Sequence, residues 1–306
     1  MPDFNTVIEE IKQCNSLLDS ADTIVRKKYL EVLHEITGRN IVLYYSAFLE
    51  KSGNLPFGID DNDMGSFMLM FAGLTRNKGL DLILHTPGGI FSAAESIIHY
   101  IRYLFGNDIR VIVPQLAMSA GTLIALSAKE IVMGYHSSLG PIDPQFMGVS
   151  AHAVIAEFQN AKEEIQKDPS CLELWKTIIA KYRPTFIGDC RNAVMWSEEL
   201  ARELLSTGMF HAYPKKIQQQ KIDQVLKELA DHSKSKAHNR HFSAKQCKDF
   251  GLEIFNLESD EKIQEAVLSI HHAAIYTMGH PSVIKLIENH EGKRHLLKTQ
   301  SPMRLD

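Results

Sequence analysis

The feature that most constrains the fold is a strand, turn and helix that repeats in the first half of the chain. Leu80–His85 (LDLILH) is an apolar run of strand length, Thr86-Pro87-Gly88-Gly89 is a tight turn, and Phe91–Phe105 has the apolar spacing of an amphipathic helix. The same pattern continues: residues 109–114 are an apolar run, residues 120–128 have helical spacing, and residues 130–133 are another apolar run. This order predicts an α/β fold with a mostly parallel sheet and functional loops at the carboxyl ends of its strands.

The rest of the chain is predicted to be mainly helical. Residues 1–38 carry apolar positions at helical spacing and predict an N-terminal helical arm, which packs on the core or on a neighbouring subunit. Residues 39–256 are predicted to form one α/β domain with a helical insertion at about 212–240, and residues 257–306 a C-terminal helical tail. Further helices are expected at residues 60–74, 151–167, 172–181, 197–206 and 261–276, and a strand at 40–48.

Composition argues against several classes of partner. The formal net charge of −4 provides no basic field for nucleic acid or an anionic membrane. No apolar stretch approaches the roughly 20 residues that a membrane-spanning helix needs, and the first residues lack an export signal, so we expect a soluble cytoplasmic protein. The four cysteines form no CxxC pair, and His232, His238 and His241 are unevenly spaced beside lysines. We therefore expect packed thiols, no metal site and no cofactor.

Two loops that follow neighbouring strands carry the residues of an acyl-transfer site. In the first, Pro87 and two glycines let the backbone approach a ligand and offer its N–H groups. In the second, Ser119 lies between small residues (AMSAGT) at the expected start of a helix, where free N–H groups stabilise an oxyanion. Ser119 alone would be explained as a helix N-cap. The two loops together favour a nucleophile beside an oxyanion hole.

The segments LILHTPGGIFSAAESI and AMSAGTLIALSAKEIVMGYHSSLGPIDPQF resemble the serine dehydrogenase proteinase (SDH) family. This family is a branch of the Clp-protease/crotonase superfamily and is related to signal peptide peptidase A. The likeness runs from about residue 40 to 210, with a weaker echo at 242–254. It implies a Clp/crotonase-like ββα spiral, with residues 39–256 as a serine peptidase domain, that acts as an endopeptidase on peptides or proteins, needs no cofactor and assembles as a homo-oligomer.

The resemblance also implies roles for individual residues. Ser119 falls on the position of the nucleophile, and Gly88 and the N–H of Ala120 fall on the oxyanion-hole donors. Gly89 continues the strip along which the substrate lies.

The general base is left open by the sequence, although a serine hydroxyl needs a proton acceptor. Membrane-bound relatives use a lysine from a helix some forty to fifty residues after the serine, which places Lys162 first and implies a Ser–Lys dyad. Lys181 ranks second because its approach is more apolar, and His136 ranks third. A base lysine requires burial or a cationic neighbour, and Lys162 also fits a solvated helix lysine.

The Clp proteases place a histidine where this chain has Ile142-Asp143. Asp143 lies in a Pro- and Gly-containing loop that borders the expected cleft, and we interpret it as a structural carboxylate, with membership of a catalytic triad as the alternative.

Two other functions fit the same pattern. A crotonase-type acyl-CoA enzyme uses a paired N–H oxyanion hole without a nucleophilic serine. A catalytically silent or partner-triggered scaffold of the same fold would explain why no base is obvious.

Overall fold

The computed structural model describes residues 3–14, 20–146, 148–230 and 239–299 as a mixed α/β protein around a central, mostly parallel sheet. The helices are α1 Phe4–Gln13, α2 Ala21–Thr37, α3 Asp63–Phe71, α4 Phe91–Phe105, α5 Ala120–Leu126, α6 Ala151–Lys167, α7 Leu172–Ile179, α8 Phe186–Thr207, α9 Lys215–Leu229, α10 Ala244–Asp249 and α11 Glu261–Met278. The strands are β1 Asn40–Ser46, β2 Leu80–His85, β3 Ile109–Val113, β4 Leu116–Ala117, β5 Glu130–Met133, β6 Ser138–Leu139, β7 Gln145–Phe146, β8 Val149–Ser150, β9 Phe242–Ser243, β10 Ile254–Asn256, β11 Val283–Asn289 and β12 Arg294–Lys298.

The central sheet has seven strands in the order β10-β5-β3-β2-β1-β11-β12. Strands β10 to β1 run parallel, whereas β11 and β12 join antiparallel beside β1. In the middle of the sheet, Leu82 pairs with Val42 on one side and Val111 on the other. The parallel strands are mainly apolar because both of their faces are covered, and the prediction of a mostly parallel sheet is confirmed.

Helices cover both faces of the sheet. Alternate residues of β2 point to opposite sides, so Leu82 and Leu84 pack into the larger core with α3, α4, α5 and α8, while Ile83 packs into the core with α2 and α11. A small second sheet, in the order β4-β6-β9, lies beyond the carboxyl end of β3. It holds the loop that leads into α5.

The N-terminal arm packs on the C-terminal part of the chain. Val7, Ile11 and Val25 form an apolar cluster with Ala273 of α11. The fully buried Arg26 forms an ion pair with Glu288 of β11 and donates to Thr277 Oγ1 at 2.6 Å. Helices α1 and α2 are therefore integrated with the sheet through their contacts with α11 and β11.

The expected C-terminal helical tail needs correction. Helix α11 is present, but β11 and β12 follow it and complete the central sheet. The segment VIKLIEN of β11 is fully buried although it contains a lysine and a glutamate, because both find ionic partners far away in sequence.

Other boundaries also differ. Helix α8 begins at Phe186, eleven residues before the expected 197, and the helix expected at 60–74 is limited to Asp63–Phe71. His232, His238 and most of the loop expected around them lie outside the described residues.

All four cysteines are free thiols, and two of them, Cys190 and Cys247, are buried. Within the described ranges, no helix combines the length and the apolar character required to cross a membrane.

Candidate functional site

The loop that carries Gly88 and Gly89 and the loop that carries Ser119 are joined directly by backbone hydrogen bonds. Thr86, which follows β2, donates its N–H to Leu116 O at 3.0 Å and accepts from the N–H of Met118 at 3.1 Å. These bonds form a parallel bridge between Thr86 and Ala117. The bridge fixes the glycine turn beside the loop that carries Ser119.

Gly88 lies in van der Waals contact with the Ser119 loop. Its φ is +95°, and a Cβ on this residue would lie 2.7 Å from Ser119 Cβ and 2.6 Å from Met118 O. Real Cβ atoms do not approach backbone that closely, so only glycine fits. The sequence HTPGG thus supplies the close backbone approach that the sequence analysis expected.

Ser119 adopts a backbone conformation that is unfavourable for its residue type. Its φ is +52° and its ψ is −116°, and Thr185 is the other non-glycine residue with positive φ within the described part of the chain. Ser119 precedes α5 in the N-cap position, yet its side chain makes no capping hydrogen bond. Capping therefore does not explain this serine, and such strain of about 1–3 kcal/mol is concentrated at functional sites.

Two backbone N–H groups beside Ser119 are available to a ligand. Gly88 N–H donates to Thr86 Oγ1 at 3.2 Å. By contrast, neither Gly89 N–H nor Ala120 N–H donates a hydrogen bond to any described residue. Both residues line the same cleft as Ser119. The free donors are therefore those of Gly89 and Ala120.

The cleft has a volume of about 740 Å³ and a mainly apolar lining. Its polar side chains include Asp60, Ser119, Asp143 and Gln145. No lysine, arginine or histidine is present among the described residues that line it. It is large enough for several residues of an extended chain.

The three side chains proposed as the general base lie outside this lining. His136 is in the turn after β5, Lys162 is on α6, and Lys181 follows α7. All three are exposed. The structure thus brings Ser119, Gly88, Gly89 and Ala120 together. The assignment of the general base stays a prediction.

Asp143 is a titratable group that does share the cleft with Ser119, and it is only 1% exposed. Its loop is fixed on two sides: Thr122 Oγ1 of α5 donates to Gly140 O at 3.0 Å, and Ser197 Oγ of α8 donates to Ile142 O at 2.8 Å. Asp143 Oδ2 accepts a hydrogen bond from Gln145 Nε2 at 3.0 Å. A buried carboxylate is thus held at the cleft wall.

A buried ionic cluster adjoins the cleft at Asp60. Lys285 of β11 is fully buried, and its Nζ lies 2.9 Å from both Asp60 Oδ2 and Asp63 Oδ2. Tyr44 donates to Asp63 Oδ2 at 2.9 Å. Burial alone would raise the pKa of both carboxyls. At Asp60 burial is outweighed by the Lys285 ammonium together with hydrogen bonds from Asn62, so its pKa is lowered, whereas burial prevails at Asp63, whose pKa is raised.

Sequence reasoning missed this cluster. The available signal was the single lysine in an otherwise strand-like apolar run, because a buried lysine requires a carboxylate partner.

His85 belongs to the HTPGG segment but lies away from the cleft. The ring is fully buried against Tyr45, Phe48 and His271, and neither ring nitrogen has a hydrogen-bond partner among the residues that the structure describes. Burial lowers the pKa of His85 to about 4. It is thus a neutral packing residue at neutral pH.

Over the described residues, no group of three or more histidine, cysteine, aspartate or glutamate side chains could hold a metal ion.

Comparison with known proteins places this site within a protein family. The model of a family described as ClpP-like SDH-type serine proteinase matches residues 59–255, more than half of the chain. The matched region includes the glycine turn, Ser119 and Asp143, whereas Lys285 lies beyond it.

Two uncharacterized proteins of Methanocaldococcus jannaschii are also similar. One is 34% identical over 156 residues, which is 48% of this chain and 52% of the relative. The other is 28% identical over 186 residues, or 61% of this chain and 55% of the relative. The chain thus spans about half the length of the curated relatives it matches.

Proposed function

The chain belongs to the family of ClpP-like SDH-type serine proteinases, and from this premise we propose that it hydrolyses peptide bonds through an acyl-enzyme at Ser119. One observation carries the proposal. The strained Ser119 contacts Gly88, and the two unbonded N–H groups of Gly89 and Ala120 line the same cleft. A hydroxyl beside two free amide donors is the arrangement that acyl transfer needs.

In the proposed reaction, Ser119 Oγ attacks the scissile carbonyl while its proton passes to a base. The carbonyl oxygen, now negative, accepts hydrogen bonds from the N–H groups of Gly89 and Ala120. The amine product leaves with a proton, and water then hydrolyses the ester to release the second product and the free serine. Each such donor typically contributes a factor of roughly 10²–10³ to the rate.

This proposal gives Gly89 the donor role that the family resemblance suggested for Gly88. The N–H of Gly88 is already bonded to Thr86 Oγ1. Gly88 contributes instead by allowing its backbone to contact Ser119.

The finer features implied by the resemblance are part of the proposal. The parallel sheet and the small β4-β6-β9 sheet support a Clp/crotonase-like spiral over residues 39–256. Assembly into a homo-oligomer stays a prediction from the family resemblance. Endopeptidase action and a cytoplasmic location stay predictions.

The base is assigned by comparing four variants. Asp143→Asn, Lys162→Met, Lys181→Met and His136→Gln each remove one acceptor. We expect the largest loss of reactivity for Asp143→Asn, because Asp143 alone of the four lines the cleft, and geometry is the first requirement of a general base. A larger loss in one of the other variants would show that this residue reaches Ser119 in the active assembly.

The proposal is tested with a fluorophosphonate probe, which reacts with activated serines. We expect labelling of the purified chain at Ser119, located by peptide mass spectrometry, and loss of labelling and of casein cleavage in Ser119→Ala. Ser92→Ala is the matched control, because Ser92 also lines the cleft. Equal labelling of Ser119→Ala and the unmodified chain would refute the nucleophile.

A crotonase-type acyl-CoA enzyme is the second possibility, favoured by the absence of lysine and histidine from the described lining of the cleft. Such an enzyme would use the N–H groups of Gly89 and Ala120 to hold a thioester oxygen. Binding of an acyl-CoA without labelling of Ser119 would favour it. If neither labelling nor acyl-CoA binding occurs, the scaffold interpretation is supported.

A further inference from the structure

We propose that Asp60 makes the cleft selective for peptides with a lysine or arginine next to the scissile bond. The inference rests on the proposed function, because it concerns the substrate of the Ser119 site. It adds a specificity-determining residue that neither the sequence motifs nor the family match assigns.

Asp60 is placed beside the substrate by the segment that precedes it. Ile59 N–H donates to Gly88 O at 2.7 Å, and Ile59 O accepts from the N–H of Ile90 at 2.8 Å. A Cβ on Gly58 would lie 3.2 Å from Gly89 Cα. Residues 58–60 therefore lie directly on the glycine turn, which in turn contacts Ser119.

The ionisable groups at this wall of the cleft include two acids and one base. One ammonium, that of Lys285, faces two carboxylates, so the cluster of Asp60, Asp63 and Lys285 carries a formal charge of −1 when both acids are ionised. Lys285 and Asp63 are buried, whereas the Asp60 side chain is 20% exposed and lines the cleft. Asp60 is thus the member of the cluster that a substrate can reach.

The surrounding lining suits the long apolar stem of a basic side chain. The rings of Phe91 and Trp196 lie 4.5 Å apart edge to face and line the cleft with Ile90. Lysine and arginine bury their methylene groups on such surfaces while the charged end reaches a carboxylate, and aromatic rings also attract cations.

Charge decides between possible substrates. An apolar side chain gains the apolar contacts alone, and an acidic one meets Asp60 and Asp143 without any cation in the described lining. A basic side chain gains the same contacts and an ionic hydrogen bond to Asp60, which is worth roughly a tenfold to hundredfold preference.

The experiment uses three blocked peptides that differ at one position, which carries lysine, norleucine or glutamate. Norleucine has nearly the shape of lysine without its charge. Two readouts are measured on the full chain: kcat/KM for cleavage, and protection of Ser119 from the fluorophosphonate probe. We expect lysine to exceed norleucine by roughly tenfold and glutamate to be weakest, with the lysine preference reduced at high salt.

Asp60→Asn is expected to bring the lysine-to-norleucine ratio close to one, and Asp60→Glu to restore part of it. Asp61→Asn is the matched control, since Asp61 is the neighbouring, exposed carboxylate and does not line the cleft. It is expected to keep the full ratio.

The inference is overturned if the unmodified chain treats lysine and norleucine alike, or if Asp60→Asn keeps the preference. Should Asp60→Asn fail to fold, the three peptides at low and high salt on the unmodified chain still decide the question. Because labelling of Ser119 is measured without any peptide, its absence refutes the proposed function, whereas labelling without a charge preference refutes this inference alone.

Discussion

The two ends of the HTPGG segment differ in their surroundings and in their chemistry. His85 has the side chain that looks catalytic, yet its ring is fully buried among aromatic rings and its nitrogens have no hydrogen-bond partner in the described part of the chain. Gly88 and Gly89 have no side chain, yet the backbone of Gly88 contacts Ser119 and Gly89 lines the cleft. The comparison teaches that backbone conformation and access, rather than the chemical type of a side chain, mark the functional half of this segment.

The largest effect on the reactivity of Ser119 is expected from Gly88→Ala in the glycine turn. The new methyl group would overlap backbone and side-chain atoms of the Ser119 loop at 2.6–3.0 Å, and the φ of +95° is unfavourable for alanine. Displacement of Ser119 relative to the N–H donors is expected to lower its labelling by at least about a hundredfold, since small misplacements at an active site cost that much.

Gly106→Ala provides the control for this change. Gly106 also has a positive φ, +58°, but no atom lies within 4 Å of its Cβ position. We expect a loss of about 1 kcal/mol in unfolding free energy with normal labelling. If Gly88→Ala labelled as well as Gly106→Ala, the close contact with Ser119 would not matter for reactivity.

The buried His85 is expected to make the stability of the fold depend on pH. Burial lowers the pKa of His85 to about 4, so the unfolded chain, where histidine titrates near 6.5, takes up a proton first as the pH falls. The stability of the native state is therefore intact above pH 6.5 and decreases as the pH falls towards 4, by up to about 3 kcal/mol from this residue.

Urea unfolding between pH 7 and pH 4.5 measures this effect. His85→Phe is expected to flatten the pH dependence and to keep labelling of Ser119 at pH 7. Some dependence should remain, because burial also lowers the pKa of the neighbouring His271. A His85→Phe variant that unfolds normally but is no longer labelled at Ser119 would show that His85 contributes to the reactivity of the site.

The sequence was sufficient for the features that depend on local pattern. Apolar runs of strand length predicted the parallel sheet, and the glycine turn and the small residues around Ser119 predicted that the two loops meet, as Thr86 and Met118 show. The family indicated by those loops is confirmed by the match over residues 59–255.

The features that were missed depend on partners far away in the sequence. Strand β11 contains Lys285, which is tolerated in the core because its ammonium pairs with Asp60 and Asp63. These partners lie 225 and 222 residues away in the chain. The proposed choice of Gly89 over Gly88 as donor has a different origin, because Thr86 is only two residues from Gly88: it follows from the folded conformation of the turn, in which the Thr86 hydroxyl accepts the N–H of Gly88.

The smallest effect, and the sharpest test of strain, comes from replacing the two non-glycine residues with positive φ. Ser119→Gly and Thr185→Gly both relieve an unfavourable backbone conformation, of φ +52° and +69° respectively. Relief of about 1–3 kcal/mol is partly offset by the greater freedom of glycine in the unfolded chain, so each variant is expected to gain about 1–2 kcal/mol or less. Ser119→Ala, which keeps the Cβ and the strain, serves as the reference for Ser119→Gly.

Thr185→Gly should label normally because Thr185 does not line the cleft, whereas Ser119→Gly should be stabilised and inert. Stabilisation at both sites with loss of labelling at one alone would show that the strain at Ser119 is kept for its position in the cleft; a Ser119→Gly variant no more stable than Ser119→Ala would show that this conformation costs the fold nothing.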